Sequence, residues 1–454
     1  MPITLAYVAS TLENAKVNFK LIDSFGEKPE ISRSDENFLY FGKDEKQILN
    51  DILKKQKEEK RKNEDCIIGI FANQLLNHKS IIKIIKEIKL HLPKSTLIIL
   101  ENTQAVTAYS LRKTKNEFLK LGVNYLLVGE PENNFLKLTK CLMDKKYKDI
   151  KNIKGLISNS FEDNDLDIIQ NLDELPFPAW HLFNLSNYWN LNYAHGPLSS
   201  RKYLPVLTSR GCPYPCKFCV VPFTNNRKWR ARSPENIVKE LKHFKEKYNI
   251  TEFHFEDLNF TVNDKRTKAF CELLIKENVD INWKLVAGTK VESIKDEDTI
   301  KLMSQSGCKY ISISPESGSK EVMKLIAKPF NLKHAIKIVH LMNKYKIKSQ
   351  ACFVLGYPGE RNIDLKATRK MIYQLTKNGI DEIALFIISP VPGSNIFEEL
   401  KGYSNLSELN FSPTWRKDYN KLFFYRLFFY IYFLFFKFIF FKNKVFKQII
   451  NFIT

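Results

Sequence analysis

The 454-residue chain carries 71 Lys+Arg against 50 Asp+Glu, a formal charge of +21, and is long enough for two or three domains that each bury a core. That surplus suits nucleic acid or an anionic membrane surface equally, and mixed patches such as KKQKEEKRKNED also fit a merely solvated basic face. Its 8 cysteines are too sparse, and follow no secretory signal, which argues against a disulfide framework.

Residues 1–150 read as alternating strands and helices. The strand candidates are ITLAYVAS, ENFLYFG, CIIGIFA, STLIILE and NYLLVG, and the clearest helices are SIIKIIKEIKL and AYSLRKTKNEFLKLG. This predicts an α/β fold opening with a doubly wound, Rossmann-like parallel sheet, although no glycine-rich phosphate fingerprint accompanies it. Residues 151–200 are acidic and hold Pro176 and Pro178, as a linker would. From 201 to 400 a second series begins with YLPVLTS and alternates through FHFEDLNF, NWKLVAG, YISISPES, SQACFVLGYPG and EIALFIISPVPG. Strand–helix repeats of this kind predict a partial (β/α)6 barrel, and residues 401–454 form a C-terminal extension.

The run RGCPYPCKFC places Cys212, Cys216 and Cys219 in CxxxCxxC spacing. Three thiolates from one loop leave one iron of a four-iron cluster without a protein ligand, open to the amino and carboxylate groups of a substrate. A structural zinc site would need a fourth ligand, usually from a second pair, and a ferredoxin a fourth cysteine nearby, whereas the next, Cys271, lies in a helical stretch. Cys66, Cys141, Cys271, Cys308 and Cys352 read as small buried hydrophobes.

Active residues of such barrels sit where strands end. By that rule Glu256 and Asp257 follow the second strand, Lys290 the third, and Glu316, Ser317 and Gly318 the fourth. Gly356, Pro358, Gly359 and Glu360 follow the fifth, and Pro390, Pro392 and Gly393 the sixth. Each is weak alone, because acidic pairs cap helices and PGE makes turns, but all converge on one rim.

Through these cysteines, Phe218 and the strand-end residues, the chain resembles the radical S-adenosylmethionine (SAM) superfamily. GEPE at 129–132, DELPFPAW, RARSPE, PESGS, GYPGE and PVPGS extend the likeness to the group in which a cobalamin-binding-like domain precedes the barrel. The resemblance implies a 4Fe-4S cluster on the three cysteines, Phe218 against adenine, Glu256 and Asp257 at the methionine amino group, and Glu316 at the ribose. It further implies Lys290 at the carboxylate, in place of the more usual arginine, and Leu355 and Gly356 along the adenine. One electron from the cluster would break a carbon–sulfur bond of SAM and yield a 5′-deoxyadenosyl radical; flavodoxin or ferredoxin would supply the electron.

Cobalamin enters as a candidate third cofactor, but the group's paired glycines after the fourth strand of the front domain are here Glu101 and Asn102, and side chains there oppose its nucleotide tail. The DxHxxG signature is absent too. A vestigial front domain that only shapes the substrate entrance is the alternative.

Residues 422–441 read LFFYRLFFYIYFLFFKFIFF, and the last 34 residues hold 12 of the 34 Phe with six Lys/Arg and no acid. On a helix, Arg426, Lys437 and Lys444 fall on nearly one line with Lys447 close by, a basic stripe that fits a helix lying on an anionic membrane; a spanning segment and a helix covering the protein's own core are the alternatives. The expectation is a radical SAM enzyme, cytoplasmic and at the inner face of the membrane, acting on a lipid-like or other small molecule by hydrogen abstraction, methyl transfer or rearrangement, with peripheral membrane contact through 422–447. A methylthiotransferase on transfer RNA would explain the charge but needs a second cysteine set and a basic β-barrel at the end. A non-catalytic iron–sulfur binding protein is the third reading.

Overall fold

The run ITLAYVAS, expected as a strand, is helix α1 (Ile3–Asn14) in the computed structural model, which describes all residues but 36–37, 59–65, 163–164 and 454, and no side chains at 447 or 449–453. A short apolar run carries no period that separates strand from helix. Here Ser10 and Thr11 both donate their hydroxyls to the Tyr7 carbonyl at 2.9 Å, a back-bond that helical geometry offers.

The chain divides into two units. The front unit holds Met1–Ala194 with Cys219–Arg230 and Val391–Ser394, and the second holds His195–Phe218, Ala231–Pro390 and Asn395–Thr454.

In the front unit, ENFLYFG does not join the main sheet. β2 (Phe38–Phe41) pairs antiparallel with β1 (Ser32–Asp35), while Glu36 and Asn37 lie outside the described residues. After α2 (Glu45–Glu58), the main sheet runs β3 (Ile67–Ala72), β4 (Thr96–Glu101) and β5 (Tyr125–Leu127) in parallel, with β6 (Leu156–Ile157) antiparallel at its edge. Helix α3 (His78–His91) buries Ile81, Ile85 and Ile88, the helical spacing read in the sequence; α4 (Leu111–Lys120) and α5 (Pro131–Met143) follow β4 and β5. Alternation along β4 sends Ile98 and Leu100 into a core with Val8, Leu12, Phe135 and Leu138, so α1 and α5 share one face of the sheet. The expected linker is packed rather than loose: Trp180 is fully buried and the Ala179 N–H donates to the Ala6 carbonyl at 3.0 Å.

The second unit is an open parallel sheet of six strands in sequential order: β7 (Tyr203–Val206), β8 (Glu252–Phe255), β9 (Asn282–Thr289), β10 (Cys308–Glu316), β11 (Lys348–Leu355) and β12 (Glu382–Ile387). The returning helices are α6 (Pro234–Tyr248), α7 (Asp264–Lys276), α8 (Glu297–Gln305), α9 (Lys320–Leu325), α10 (Leu332–Lys344) and α11 (Asn362–Lys377). Side chains of Ser233, Asn263, Asp296, Ser319 and Asn331 accept from the first turns of α6 to α10, which is why each helix starts where it does. Phe255, Phe260, Phe270 and Trp283 pack ring to ring at 5.2–5.7 Å and fix β8 and β9 to α7.

The C-terminal helix α12 (Tyr419–Ile453), broken at Phe441, overturns the expected outward basic stripe. Lys437 is 2% exposed and donates to the Asp381 carbonyl and to Gln448, and Lys444 reaches the Asp381 carboxylate at 2.8 Å and the Gly379 carbonyl at 3.1 Å. Asp381, at the start of β12, draws the lysines inward and the aromatic residues turn out. Lys447 lies outside the residues whose side chains are described.

Candidate active site

Strand β7 delivers the chain to the cysteine loop, and Asp257 pins the junction. It accepts the Thr208 N–H at 3.1 Å, the Thr208 hydroxyl at 2.7 Å and the Ser209 hydroxyl at 2.5 Å. Burial raises the Asp257 carboxyl, opposed first by the Arg266 guanidinium, which itself donates to the Thr208 carbonyl at 2.7 Å and the Arg232 carbonyl at 3.0 Å. The acidic pair is therefore divided: Asp257 is a buried clamp, whereas Glu256 is half-buried with no hydrogen-bond partner for its carboxylate among the described residues.

Beyond Gly211, at φ +77°, the loop is held by the Lys217 N–H on the Ile326 carbonyl at 3.0 Å and by the Asn395 N–H on the Lys217 carbonyl at 2.8 Å. Cys212 accepts the Tyr214 N–H, and in the front unit Cys219 accepts the Val221 N–H at 3.4 Å. Each sulfur thus takes an amide two residues ahead, the kind of donor that stabilises a ligating thiolate. Burial pushes the Cys212 thiol up and the Cys216 thiol to about 11, and the Lys328 and Lys290 ammonium groups pull both down. Coordination to iron would displace those protons.

Lys328 organises the rest of this rim. Its Nζ donates to Glu316 Oε1 at 2.6 Å and stands 5.8 Å from the Phe218 ring centroid. Burial alone would lower Lys328, but Glu316 and the Cys216 thiol outweigh it and hold the ammonium charged. Phe218 meets Tyr357 edge to face at 5.7 Å. Glu316 ends β10 at φ +60°, a conformation that costs a non-glycine residue about 1–3 kcal/mol and clusters at functional sites.

Lys290 is not free: it donates to Glu292 at 2.6 Å and to the Pro329 carbonyl at 2.8 Å, with its charge 5.3 Å from the Tyr214 ring. At the end of β11 the Leu355 carbonyl accepts the Ile388 N–H at 2.9 Å, the Gly356 N–H is taken by Glu360 at 2.6 Å and its carbonyl by Arg416 at 2.9 Å. Of the expected residues, Phe218, Lys290 and Glu316 are thus linked through Lys328 and its neighbours to the cysteine loop, while Asp257, Leu355 and Gly356 already serve the protein's own backbone. Sequence reasoning missed Lys328, Arg266 and Arg416. The one signal for Lys328 was a lysine in the apolar run IAKPF, hidden among the chain's many lysines.

Among the described residues no three His, Cys, Asp or Glu groups gather round a single ion. Cys212, Cys216 and Cys219 would each bind a different iron of a four-iron cluster, so they need not converge on one ion.

The model of the radical SAM superfamily matches residues 206–372, from the last residue of β7 into α11. Over this stretch the chain is similar to the radical SAM superfamily. Among its relatives are cytidylyl-2-hydroxyethylphosphonate methyltransferase of Streptomyces wedmorensis, 26% identical over 92% of this chain and 81% of that protein, and an uncharacterised methyltransferase of Pyrococcus horikoshii, 29% identical over 65% of this chain. The match spans 61% of the Pyrococcus protein. Two solved structures share the fold: the radical SAM methyltransferase TsrM of Kitasatospora setae, with cobalamin and a 4Fe-4S cluster bound, at TM-score 0.64 and 15% identity over 88% of this chain and 74% of that one, and the cobalamin-dependent radical SAM enzyme OxsB, at TM-score 0.63 and 18% identity over 94% and 53%. Their layout is that of the group with a cobalamin-binding-like front domain.

The match implies a 4Fe-4S cluster and SAM, and the donor set fits the cluster: three cysteines in one loop, two of them with amide donors to sulfur and two with lysine charges nearby. Cobalamin does not fit the front unit as built. Glu101 is fully buried at the end of β4 and its carboxylate accepts the Leu111 and Gly129 N–H groups, both at 2.8 Å, while Asn102 is tied to the Asn73 carbonyl at 2.8 Å. A nucleotide tail lying on this backbone would have to displace both side chains. What remains beside Glu101, Ser110 and Arg112 is a cavity of about 300 Å³, at the small end of ligand pockets.

Proposed function

We propose that this protein is a radical SAM enzyme that cleaves SAM reductively and transforms a small, lipid-like molecule. A reduced 4Fe-4S cluster, when bound, supplies the electron that breaks a carbon–sulfur bond of SAM. The chain's residues position and shield: Cys212, Cys216 and Cys219 hold the cluster, Phe218 presents its ring to adenine, Glu316 faces the ribose and Glu256 receives the amino group. Lys328 holds Glu316 and Phe218 in one arrangement, and Lys290, already paired with Glu292, stays beside the cysteine loop as a positive charge. A small electron-transfer protein such as flavodoxin or ferredoxin supplies electrons.

The observation that carries this reading is the Cys216–Lys328–Glu316–Phe218 grouping at the strand ends inside the matched residues. Anaerobic reconstitution with iron and sulfide, reduction and incubation with SAM test it: 5′-deoxyadenosine is expected. No cleavage product from a chain with an intact cluster would leave the non-catalytic reading.

Methyl transfer is the second reading, favoured by relatives named methyltransferase and by fold neighbours that carry cobalamin. Glu101 and Asn102 stand against a cobalamin-dependent version. Corrin absorbance retained after reconstitution and desalting, with S-adenosylhomocysteine among the products, would establish it.

A further inference from the structure

Helix α12 presents an unusual outer face. Phe424, Leu427, Ile431, Leu434, Phe435 and Phe438 are 47–68% exposed and recur every three or four residues, so they form one continuous apolar stripe. Contiguous exposed apolar surface of this extent marks an interaction site.

The helix is fixed side-on. The Leu385 N–H of β12 donates to the Tyr430 hydroxyl at 3.0 Å, Tyr373 of α11 packs against Phe436 at 4.8 Å and Phe440 at 5.8 Å, and Lys437 and Lys444 hold residues 379–381. Hydropathy would allow a crossing over Tyr419–Phe446, but a span would tear these contacts along its length. Only the outer stripe can meet an apolar phase.

The flanking charges identify that phase. Helix α11 packs beside α12, with Arg369 stacked 5.7 Å from the Tyr432 ring, and exposes Lys366, Arg369, Lys370 and Lys377. Its one acid, Asp364, is 4% exposed and already bound to Ser319 and Arg361. On α12 itself Lys421 and Lys442 are exposed, one near each end of the stripe, and there is no acid. Aromatic surface bordered by cations, with no exposed acid on either helix and the nearby Asp418 paired with Arg416, complements an anionic bilayer.

We propose that α11 and α12 dock the second unit in the plane of an anionic lipid bilayer, the outer stripe of α12 entering the headgroup boundary and the α11 lysines meeting lipid phosphates. The inference stands apart from the reaction, and its test needs no turnover. The full chain, and its Cys216→Ala variant, should sediment with vesicles of phosphatidylcholine and phosphatidylglycerol, stay in solution with phosphatidylcholine alone, and be released by salt.

A Phe424→Ser/Ile431→Ser/Phe435→Ser variant, which alters only exposed side chains, should partition about tenfold less or weaker, and Lys366→Glu/Lys370→Glu should abolish the preference for anionic vesicles. Equal partition of the triple variant and the parent, with circular dichroism unchanged, overturns the proposal. So does light scattering that shows a dimer which the triple variant converts to monomer without any vesicle binding by the parent, since the stripe would then be a contact between copies of this chain.

Discussion

Lys328 and Glu316 form an ion pair at 2.6 Å with both side chains 8% exposed or less, and the same ammonium lies over Phe218. One lysine thus ties the ring assigned to adenine to the carboxylate assigned to ribose, and its charge reaches the Cys216 thiol. A buried charge of this kind is costly to leave alone, which makes the pair a sensitive reporter of the site.

Replacing Lys328→Met should cost roughly 3–5 kcal/mol, because Glu316 would stay buried without its partner. The double variant Lys328→Met/Glu316→Gln should regain much of that stability and still bind SAM about tenfold more weakly or worse. Anaerobic denaturation and SAM titration read the two effects separately.

Cys212→Ala, Cys216→Ala and Cys219→Ala should each abolish the visible absorbance of the reconstituted cluster and the release of 5′-deoxyadenosine. Cys271→Ala and Cys308→Ala should keep both, since those thiols are fully buried and held protonated by burial, that of Cys271 near 12. Iron and sulfide counts per chain check the distinction.

Stability should depend on pH through Glu101. Burial raises its carboxyl from 4.5 to about 7, against the Gly129 and Leu111 N–H groups and the Arg112 charge; its neighbour Tyr109 is held protonated. The folded chain binds the extra proton, so this stabilisation is full below pH 4.5 and is lost as pH rises to about 7. The shift corresponds to about 3 kcal/mol, as an order of magnitude. Glu101→Gln should flatten that part of the profile, leaving the shares due to Glu360, which burial also raises to about 7, and to other carboxyls that burial raises, Asp257 and Glu382 among them. Denaturant midpoints across the window measure it.

Gly356→Ala should destabilise the second unit by about 1–3 kcal/mol. Gly356 sits at φ +84°, and a methyl group there would fall 2.5 Å from Leu422 and 2.9 Å from Arg416. Gly359→Ala, at φ +80° but with its nearest neighbour 3.7 Å away, should cost less, because only the backbone strain applies. Thermal midpoints of the two variants give the comparison.

The barrel was legible because each of its strands is a short apolar run followed by a polar strand end, and the cysteine loop because thiol spacing constrains ligation directly. Three features escaped for physical reasons. ITLAYVAS is apolar on every side, so no periodicity announced a helix. The division of labour between Glu256 and Asp257 depends on Thr208 and Arg266, partners that only the fold brings together. The stripe of Arg426, Lys437 and Lys444 was visible in the sequence but its direction was not, because Asp381 draws Lys437 and Lys444 inward from a strand start that helical geometry alone does not specify.

Strand β12 ends the six-strand sheet with no further strand beside it among the described residues, and α12 crosses there, with the Tyr430 hydroxyl taking the Leu385 amide. An open sheet edge invites pairing with other chains. The aromatic tail is therefore also a guard on the barrel's open side: truncation before Tyr419 would bare that edge as it removed the outer stripe. Aggregation of such a fragment would report a lost edge cover, and only side-chain replacements on the exposed face can isolate what the stripe itself binds.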